Sequence, residues 1–348
     1  MFRWFGIFSL MASFALACVG QAANPQPSVG IEAAAPVSFA TAQALAGKGR
    51  LQEAMAQLNQ LAAQTPVPAG VERLRGIILY QQEQLPEAIV AFTKAEAQDP
   101  NDRESIEMHG VTLFRLGQVP EAIPFLERAR AAVQSANIDP DYVLALCYAD
   151  VQRYDDSRHA FAAQFGFPPE SPQAYLLAGR MFLRRELRDE AAVQAQKALA
   201  LDARLPLAHE LLGEVALARG DVAGAIRELE AERTINPMEP SIYDRLGDAY
   251  LRSGEYTHAQ QALDRAVLLE PNSTGPFILL GKTFLRLNHP IQALHYLAHA
   301  ERMDPSNYVT HNLLGQAYRA VGDRQAANQE FKMAVALQHR GGPQPAGK

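Results

Sequence analysis

The sequence predicts an all-α solenoid, in which copies of one helical unit stack along an axis and do not close into a single globule. The main observation is a series of small residues with a period of 34, interrupted by one step of 35. A period of this size is typical of stacked supersecondary units. These small positions are Gly76, Gly110, Ala145, Gly179, Gly213, Gly247, Gly281 and Gly315.

Other positions keep the same phase and describe the unit as a pair of helices. A bulky residue follows most of the small residues by three positions, as at Tyr250, and a second small residue follows by twelve, as at Ala259. Apolar residues at helical spacing predict one amphipathic helix around Tyr243 to Tyr250 and a second helix from Thr257 to Leu269. Each unit is therefore expected to be a helical hairpin.

The ends and the crossing of the two helices also have sequence signals. Two antiparallel helices approach closely only where one offers a Gly or Ala to the bulk of the other. Gly254 in the turn after the first helix suits the left-handed conformation that ends a helix. Proline stops one unit and begins the next at Asp99-Pro100, Asn236-Pro237, Glu270-Pro271 and Asp304-Pro305.

This order of residues resembles the tetratricopeptide repeat family, whose unit is a 34-residue helix-turn-helix with aromatic, Leu, Gly, Tyr, Ala, Phe or Leu, Ala and Pro at fixed places. The best-matching units run from Tyr243 to Pro271 and from Phe277 to Pro305. One period before Gly76, a degenerate first unit is indicated by Ala42, Leu45, Ala54, Leu58 and Pro66. The resemblance implies about nine units in a right-handed superhelix over residues 38–340.

Composition supports a folded chain and disfavours one class of partner. The 348 residues are 48% hydrophobic and 20% charged, as expected of a folded soluble protein. A solenoid grows by adding units, so this length needs only one domain. The formal net charge is -6 and basic residues form no tract, so nucleic-acid binding has no electrostatic signature here.

Residues 1–22 are predicted to be a signal peptide that takes the chain out of the cytoplasm. A cationic start at Arg3 precedes an uncharged apolar run from Phe5 to Ala17, which is too short to span a bilayer. Residues 14–18 resemble a bacterial lipobox, in which Cys18 would become the lipidated first residue. Ordinary cleavage, for instance after Ala17 or Ala22, is the alternative.

Three other segments differ from the repeats. Residues 23–37, rich in Ala, Pro and Gln, are predicted to be a flexible tether, and residues 341–348 a disordered tail. The extra residue of the 35-residue step lies near Gln134 to Asp139, and the unit that follows it ends in Gly166 and two prolines, Pro168 and Pro169. Because such residues change how helices stack, we expect a bend over residues 134–172.

Histidines are the side chains that most resemble a chemical site. His295 and His299 are four apart on one predicted helix, a spacing that brings two imidazoles to one metal. No Glu completes a metalloprotease pattern between them, so packing or solvated histidines are the favoured interpretation. His209 and His311 occupy the place that Tyr175 fills in another unit. We therefore predict no catalytic residue, no cofactor and no metal site.

The candidate site is a groove for a partner. The resemblance implies that first helices line the concave face at places three before, one after, and four or five after the small residue. From these places we select Phe114, Arg115, Arg180, Leu183, Arg184, Leu217, Asp248, Leu251, Arg252, Lys282, Leu285, Arg286 and Arg319, and the same places also hold Glu210, Glu214 and Asp244. Leucines edged with guanidinium groups suit an extended peptide with acidic side chains. Alternatively, the leucines only complete packing between units.

The sequence as a whole predicts a non-catalytic scaffold or adaptor in a bacterial envelope, periplasmic or anchored to the outer membrane. It would bind a protein or peptide, attach to the membrane if Cys18 is lipidated, and self-associate if the uncapped last helix is exposed. The carboxylate clamp that the family uses for chaperone tails is not present in any three consecutive first helices. The alternatives are a cytoplasmic adaptor with an unprocessed leader, and an accessory subunit of an enzyme or export complex with a metal or sugar site near His295 and His299.

Overall fold

A computed structural model describes residues 37–131 and 140–341, with side chains up to residue 339. In these ranges the chain forms eighteen α-helices and no strand. The first helices of the nine pairs are α1 (Phe39–Gly47), α3 (Val71–Gln81), α5 (Arg103–Arg115), α7 (Pro140–Asp150), α9 (Pro172–Arg184), α11 (Ala208–Arg219), α13 (Pro240–Ser253), α15 (Thr274–Arg286) and α17 (Tyr308–Ala320). The second helices are α2 (Leu51–Ala62), α4 (Leu85–Gln98), α6 (Val119–Ala131), α8 (Tyr154–Gln164), α10 (Arg188–Leu201), α12 (Val222–Ile235), α14 (Tyr256–Leu269), α16 (Pro290–Met303) and α18 (Arg324–Gly341).

The predicted all-α solenoid is confirmed by how these helices contact one another. Each helix packs against the one before it and the one after it, from α1 to α18. First helices of successive pairs also touch directly, as α9 does with α11, α11 with α13, α13 with α15 and α15 with α17. Helices that lie this close across pairs form the inner layer of the stack, and the second helices form the outer layer.

Several predicted segments lie outside the described residues. They are the signal peptide with its lipobox and Cys18, the tether except for Val37, the stretch 132–139 within the predicted bend, and the tail after Gly341. The bend therefore stays a prediction.

No helix in the described ranges has both the length and the apolar character needed to cross a membrane.

The repeating small residues lie where the two helices of a pair cross. A Cβ atom added at Gly281 would be 2.3 Å from Cγ of Leu297, and one added at Gly247 would be 2.4 Å from Cγ of Leu263. Both leucines are fully buried. The close approach of the helices therefore depends on a missing side chain on one helix and a bulky one on the other.

The turn inside each pair has one backbone conformation, whatever residue occupies it. The residue seven positions after the small residue has a positive φ, and this is a glycine in only some units, such as Gly254 with φ 86°. Glu83, Gln152 and Glu186 have φ of 61°, 62° and 63° at the same place. A non-glycine residue in this region costs roughly 1–2 kcal/mol, so packing of the two helices imposes the turn on the local sequence.

A valine at Gly281 tests the importance of this close approach. We expect Gly281→Val to destabilise the array by about 1–3 kcal/mol, because the new side chain overlaps Leu297 and forces the helices apart. The measurement is the urea midpoint of unfolding followed by circular dichroism.

Gly47→Val is the matched control, because a Cβ at Gly47 meets no atom within 4 Å. Its effect should stay within about 0.5 kcal/mol. Equal shifts of the midpoint for the two variants would disprove the steric role of Gly281.

Candidate functional site

A cleft of about 440 Å³ opens on the inner layer near the middle of the array. Four first helices form it, namely α9, α11, α13 and α15. It is lined by Leu183, Glu214, Leu217, Ala218, Asp244, Arg245, Asp248, Arg252 and Leu279. The cleft therefore lies on the helix layer that the sequence predicts for a partner-binding groove, and both apolar and charged side chains line it.

Glu210 forms the centre of a charge network beneath this cleft. Its carboxylate is almost fully buried and accepts hydrogen bonds from Arg180 Nη2 at 2.9 Å, Arg245 Nε at 3.0 Å and Ser241 Oγ at 2.7 Å. Arg180 lies on α9, Glu210 on α11, and the other two on α13. One carboxylate thus links three successive units on the concave side.

The network also determines how two buried carboxyl groups ionise. Burial raises the pKa of Glu210, but hydrogen bonds from Ser241 and Arg245 outweigh it, and the pKa is lowered overall. Glu214 lies 2.9 Å from Arg245 Nη2, yet burial dominates and raises the pKa of this carboxyl. Glu210 therefore remains the ionised partner of both guanidinium groups in mild acid.

Two aspartates one turn apart on α13 differ in their partners. Asp248 Oδ2 lies 2.6 Å from Arg252 Nη2, an ion pair between residues four apart on the helix. Asp244 Oδ1 is buried and has no hydrogen-bond partner among the described residues. Burial raises the pKa of Asp244. The cleft thus contains one paired and one unpaired aspartate.

Glu232 on α12 holds the helix that carries Glu210 in place. Its fully buried carboxylate accepts hydrogen bonds from the backbone N–H of Leu207 at 2.6 Å, of His209 at 3.1 Å and of Glu210 at 3.3 Å. These groups are at the N-terminus of α11, where Leu207 has no side chain that could cap the helix. A carboxylate from the next helix therefore supplies both the cap and the negative charge that this end favours.

Four of the residues selected from the sequence line the cleft, and a fifth belongs to the charge network beneath it. Leu183, Leu217, Asp248 and Arg252 face the cleft, and Arg180 binds Glu210 beside it. The guanidinium groups of Arg180 and Arg252 already pair with carboxylates of this chain. An acidic peptide would have to compete with those carboxylates.

Other selected residues lie elsewhere on the array. Phe114 packs against the core around α5 to α11, and Leu251 is only 7% exposed, so it offers little surface to a partner. Arg115 pairs with Glu83 at 2.5 Å, and the Arg319 guanidinium lies 5.7 Å from the ring centre of Phe331. Outside the cleft lining, Leu285 and Lys282 are partly exposed, and Arg184 and Arg286 are exposed.

Sequence reasoning missed Arg245 and Leu279, which both line the cleft. Each lies two positions before the small residue of its unit, a place that the expected pattern of concave positions does not include. Glu232 was also missed, although a signal for it exists. Six other units have Ala at the place of Glu232, nineteen after the small residue, and a charged residue at a repeated apolar position indicates a buried polar contact.

The histidines are held by hydrogen bonds and ring contacts. His311 Nε2 lies 3.0 Å from the carbonyl oxygen of Pro305, just as the Tyr243 hydroxyl donates to Pro237. His311 Nδ1 lies 2.7 Å from Glu330, and Glu301 is close enough to complete a three-residue group that could hold a cation. Burial lowers the pKa of His311, but Glu330 outweighs it and the pKa is raised. A histidine with oxygen acceptors at both nitrogens acts as a hydrogen-bond donor, which disfavours metal binding.

The two histidines on α16 are apart from any such group. His299 packs against Phe277 with ring centres 4.3 Å apart and tilted planes, and it contacts Arg302, whereas His295 is exposed beside Tyr296. These contacts agree with the packing interpretation of the pair.

The helical pairs and the inner cleft define this protein as an α-solenoid with a cleft on its inner helix layer. Tetratricopeptide repeat family models match residues 39–103, 142–206 and 240–273, and the model for anaphase-promoting complex, cyclosome, subunit 3 matches residues 81–164. These matches identify tetratricopeptide repeats within residues 39–103, 142–206 and 240–273 of the chain.

Several solved structures are similar to parts of this chain. A crystal structure of MamA is 22% identical, covers 47% of this chain and 95% of its own, and has a TM-score of 0.44. YrrB, described as a TPR protein with an unusual peptide-binding site, is 20% identical over 53% of this chain and 95% of its own, with a TM-score of 0.46. The Cut9–Hcn1 hetero-tetramer of the APC/C is 18% identical over 83% of this chain and 57% of its own, with a TM-score of 0.44. The search of curated proteins finds no match.

A glutamine at position 210 tests whether the network stabilises the array. We expect Glu210→Gln to cost about 1–3 kcal/mol near neutral pH, because it removes the charge shared by two guanidinium groups that are about one third exposed. The folded-state pKa of Glu210 is lowered, so its contribution is complete above the unfolded-state pKa and is lost as the pH falls through the folded-state pKa. The difference between the urea midpoints of the wild-type chain and Glu210→Gln should therefore be smaller at acid pH than at neutral pH.

Glu83→Gln is the control, since the Glu83 side chain is 70% exposed in its pair with Arg115. We expect it to leave the urea midpoint nearly unchanged, because exposed ion pairs contribute little to stability. A penalty for Glu210→Gln that stays constant or grows in acid would contradict the assigned role.

Proposed function

We propose that this protein is a non-catalytic scaffold that binds an extended segment of a partner protein along its concave face. The observation that carries the proposal is the cleft among α9, α11, α13 and α15. Its apolar walls come from Leu183, Leu217 and Leu279, and charged groups lie between them. Apolar anchors with a few directed polar groups are what a peptide segment needs for affinity and orientation.

The network below the cleft supports binding to a preformed surface. Glu210 links α9, α11 and α13, and Glu232 fixes the end of α11 from the outer layer. Side chains held in this way lose little freedom when a ligand arrives. The apolar side chains of Leu183 and Leu217 are therefore already positioned to contact a segment that lies across the units.

We further propose that the chain acts outside the cytoplasm, in a bacterial envelope. The support is the sequence of residues 1–22, with Arg3 before an apolar run and the lipobox-like residues 14–18. A lipidated Cys18 would attach the array to a membrane through residues 19–37.

Binding to the cleft can be tested with a displayed library of random peptides. We expect peptides selected on the chain to lose about tenfold or more in affinity with Leu217→Ser, because Leu217 contributes an apolar wall of the cleft. The measurement is the Kd by fluorescence anisotropy, after circular dichroism has shown that the variant is folded.

Leu268→Ser is the matched control, because Leu268 lies on the outer helix α14 and is 70% exposed. The peptides selected on the wild-type chain should bind Leu268→Ser with unchanged Kd. Peptides that respond to Leu268→Ser as strongly as to Leu217→Ser, or to neither, would refute binding in the cleft.

The location can be tested by intact mass and fractionation after expression of the whole chain in a Gram-negative host. We expect a mature chain that begins at Cys18, carries acyl groups and is found with membranes. A mature chain that begins near Ala23 and carries no lipid would indicate that the protein is exported but not anchored to the membrane. An uncut chain in the cytosol would refute export.

A further inference from the structure

The charged groups around the cleft include more carboxylates than guanidinium groups. Three guanidinium groups lie there, and each is close to a carboxylate of the chain. Arg180 is 2.9 Å from Glu210, Arg245 is 2.9 Å from Glu214, and Arg252 is 2.6 Å from Asp248. Four carboxylates therefore lie in or beside the cleft with these three cations, because Asp244 is also part of its lining.

Asp244 is the carboxylate left without a partner. No hydrogen bond or ion pair within 4 Å reaches it from the described residues, and its Oδ1 is buried. Burial raises the pKa of Asp244, and Asp248 and Glu270 raise it further, whereas Arg245 lowers it. The surroundings therefore hold an unmet demand for a positive charge or a hydrogen-bond donor.

The three arginines, by contrast, do not need an anion from a ligand. Their charges are already shared with Glu210, Glu214 and Asp248. A carboxylate of a ligand would have to displace one of these partners and would be repelled by the remaining acidic groups. Arg184, beyond the lining, is exposed and lowers the pKa of Glu214 only through its charge.

We propose that the cleft recognises a lysine or arginine side chain of the bound segment, whose cationic head pairs with Asp244. This inference rests on the proposed function, since it names the chemistry of a segment that binds in the same cleft. The apolar stem of the side chain would lie against Leu217 and Leu279, which line the same cleft as Asp244. Long basic side chains place their methylene stems on apolar surface in this way and keep the charge at the end for an ion pair.

The test uses the random peptide library with the whole chain as it exists. We expect the selected peptides that are sensitive to Leu217→Ser to share a Lys or Arg at one position. Replacing that residue by norleucine should raise the Kd about 10- to 100-fold for the wild-type chain, as the loss of one charge-assisted hydrogen bond would. The same replacement should change the Kd less than about threefold for Asp244→Asn, because its partner charge is already absent.

Asp264→Asn is the matched control. Asp264 is a partly exposed aspartate on the outer helix α14, where its contact is Gln260. In this variant the norleucine replacement should cost as much as in the wild-type chain. Asp244→Asn keeps the shape of the side chain, and circular dichroism will show that each variant is folded.

The outcomes separate this inference from the function on which it rests. Peptides that depend on Leu217 but lack a common basic residue would overturn the cationic anchor and leave peptide binding in the cleft intact. Selection of acidic peptides whose affinity falls with Arg245→Gln would likewise overturn it. A library that yields no peptide sensitive to Leu217→Ser would refute both proposals.

Discussion

The close approach of two helices at a residue without a side chain, or with only a methyl group, is the constraint on which the whole array depends. Gly281 and Leu297 show it most closely, since an added Cβ would fall 2.3 Å from the leucine Cγ. Because this contact recurs with a period of 34, each helical pair has nearly the same shape. Equal shapes stack, so the first helices of most successive pairs lie against one another and form the inner layer. The cleft is a consequence of that stacking.

The inner layer creates an electrostatic problem that this chain resolves with buried carboxylates. First helices lie next to one another, so charged side chains on neighbouring units are brought within bonding distance. Arg180 and Arg245, on the two sides of α11, both pair with Glu210. Removing one partner would leave a buried charge uncompensated. The pairing therefore ties the relative position of three units to their charges, which apolar packing alone does not do.

Much of this architecture can be predicted from the sequence, because repetition reveals what a single unit does not. The second helix predicted from Thr257 to Leu269 is observed as Tyr256–Leu269. The deviations concern contacts between units. Nothing local to Glu83 indicates its positive φ, which packing of the pair imposes. Arg245 lies one position away from the expected groove pattern, and its role depends on a glutamate in the preceding unit. Such pairings depend on how the units stack, and the spacing of the repeat in the sequence does not reveal this.

One departure from the repeat lies beside the cleft, and it has a physical explanation. Glu232 replaces an alanine of other units and caps α11, the helix that carries both Glu210 and Glu214. A buried carboxylate at an otherwise apolar position costs desolvation energy, which its backbone hydrogen bonds offset. The result is a helix end that stays fixed although Leu207 cannot cap it. With α11 fixed and Arg180, Arg245 and Arg252 paired, Asp244 is the cleft carboxylate without a hydrogen bond or ion pair among the described residues.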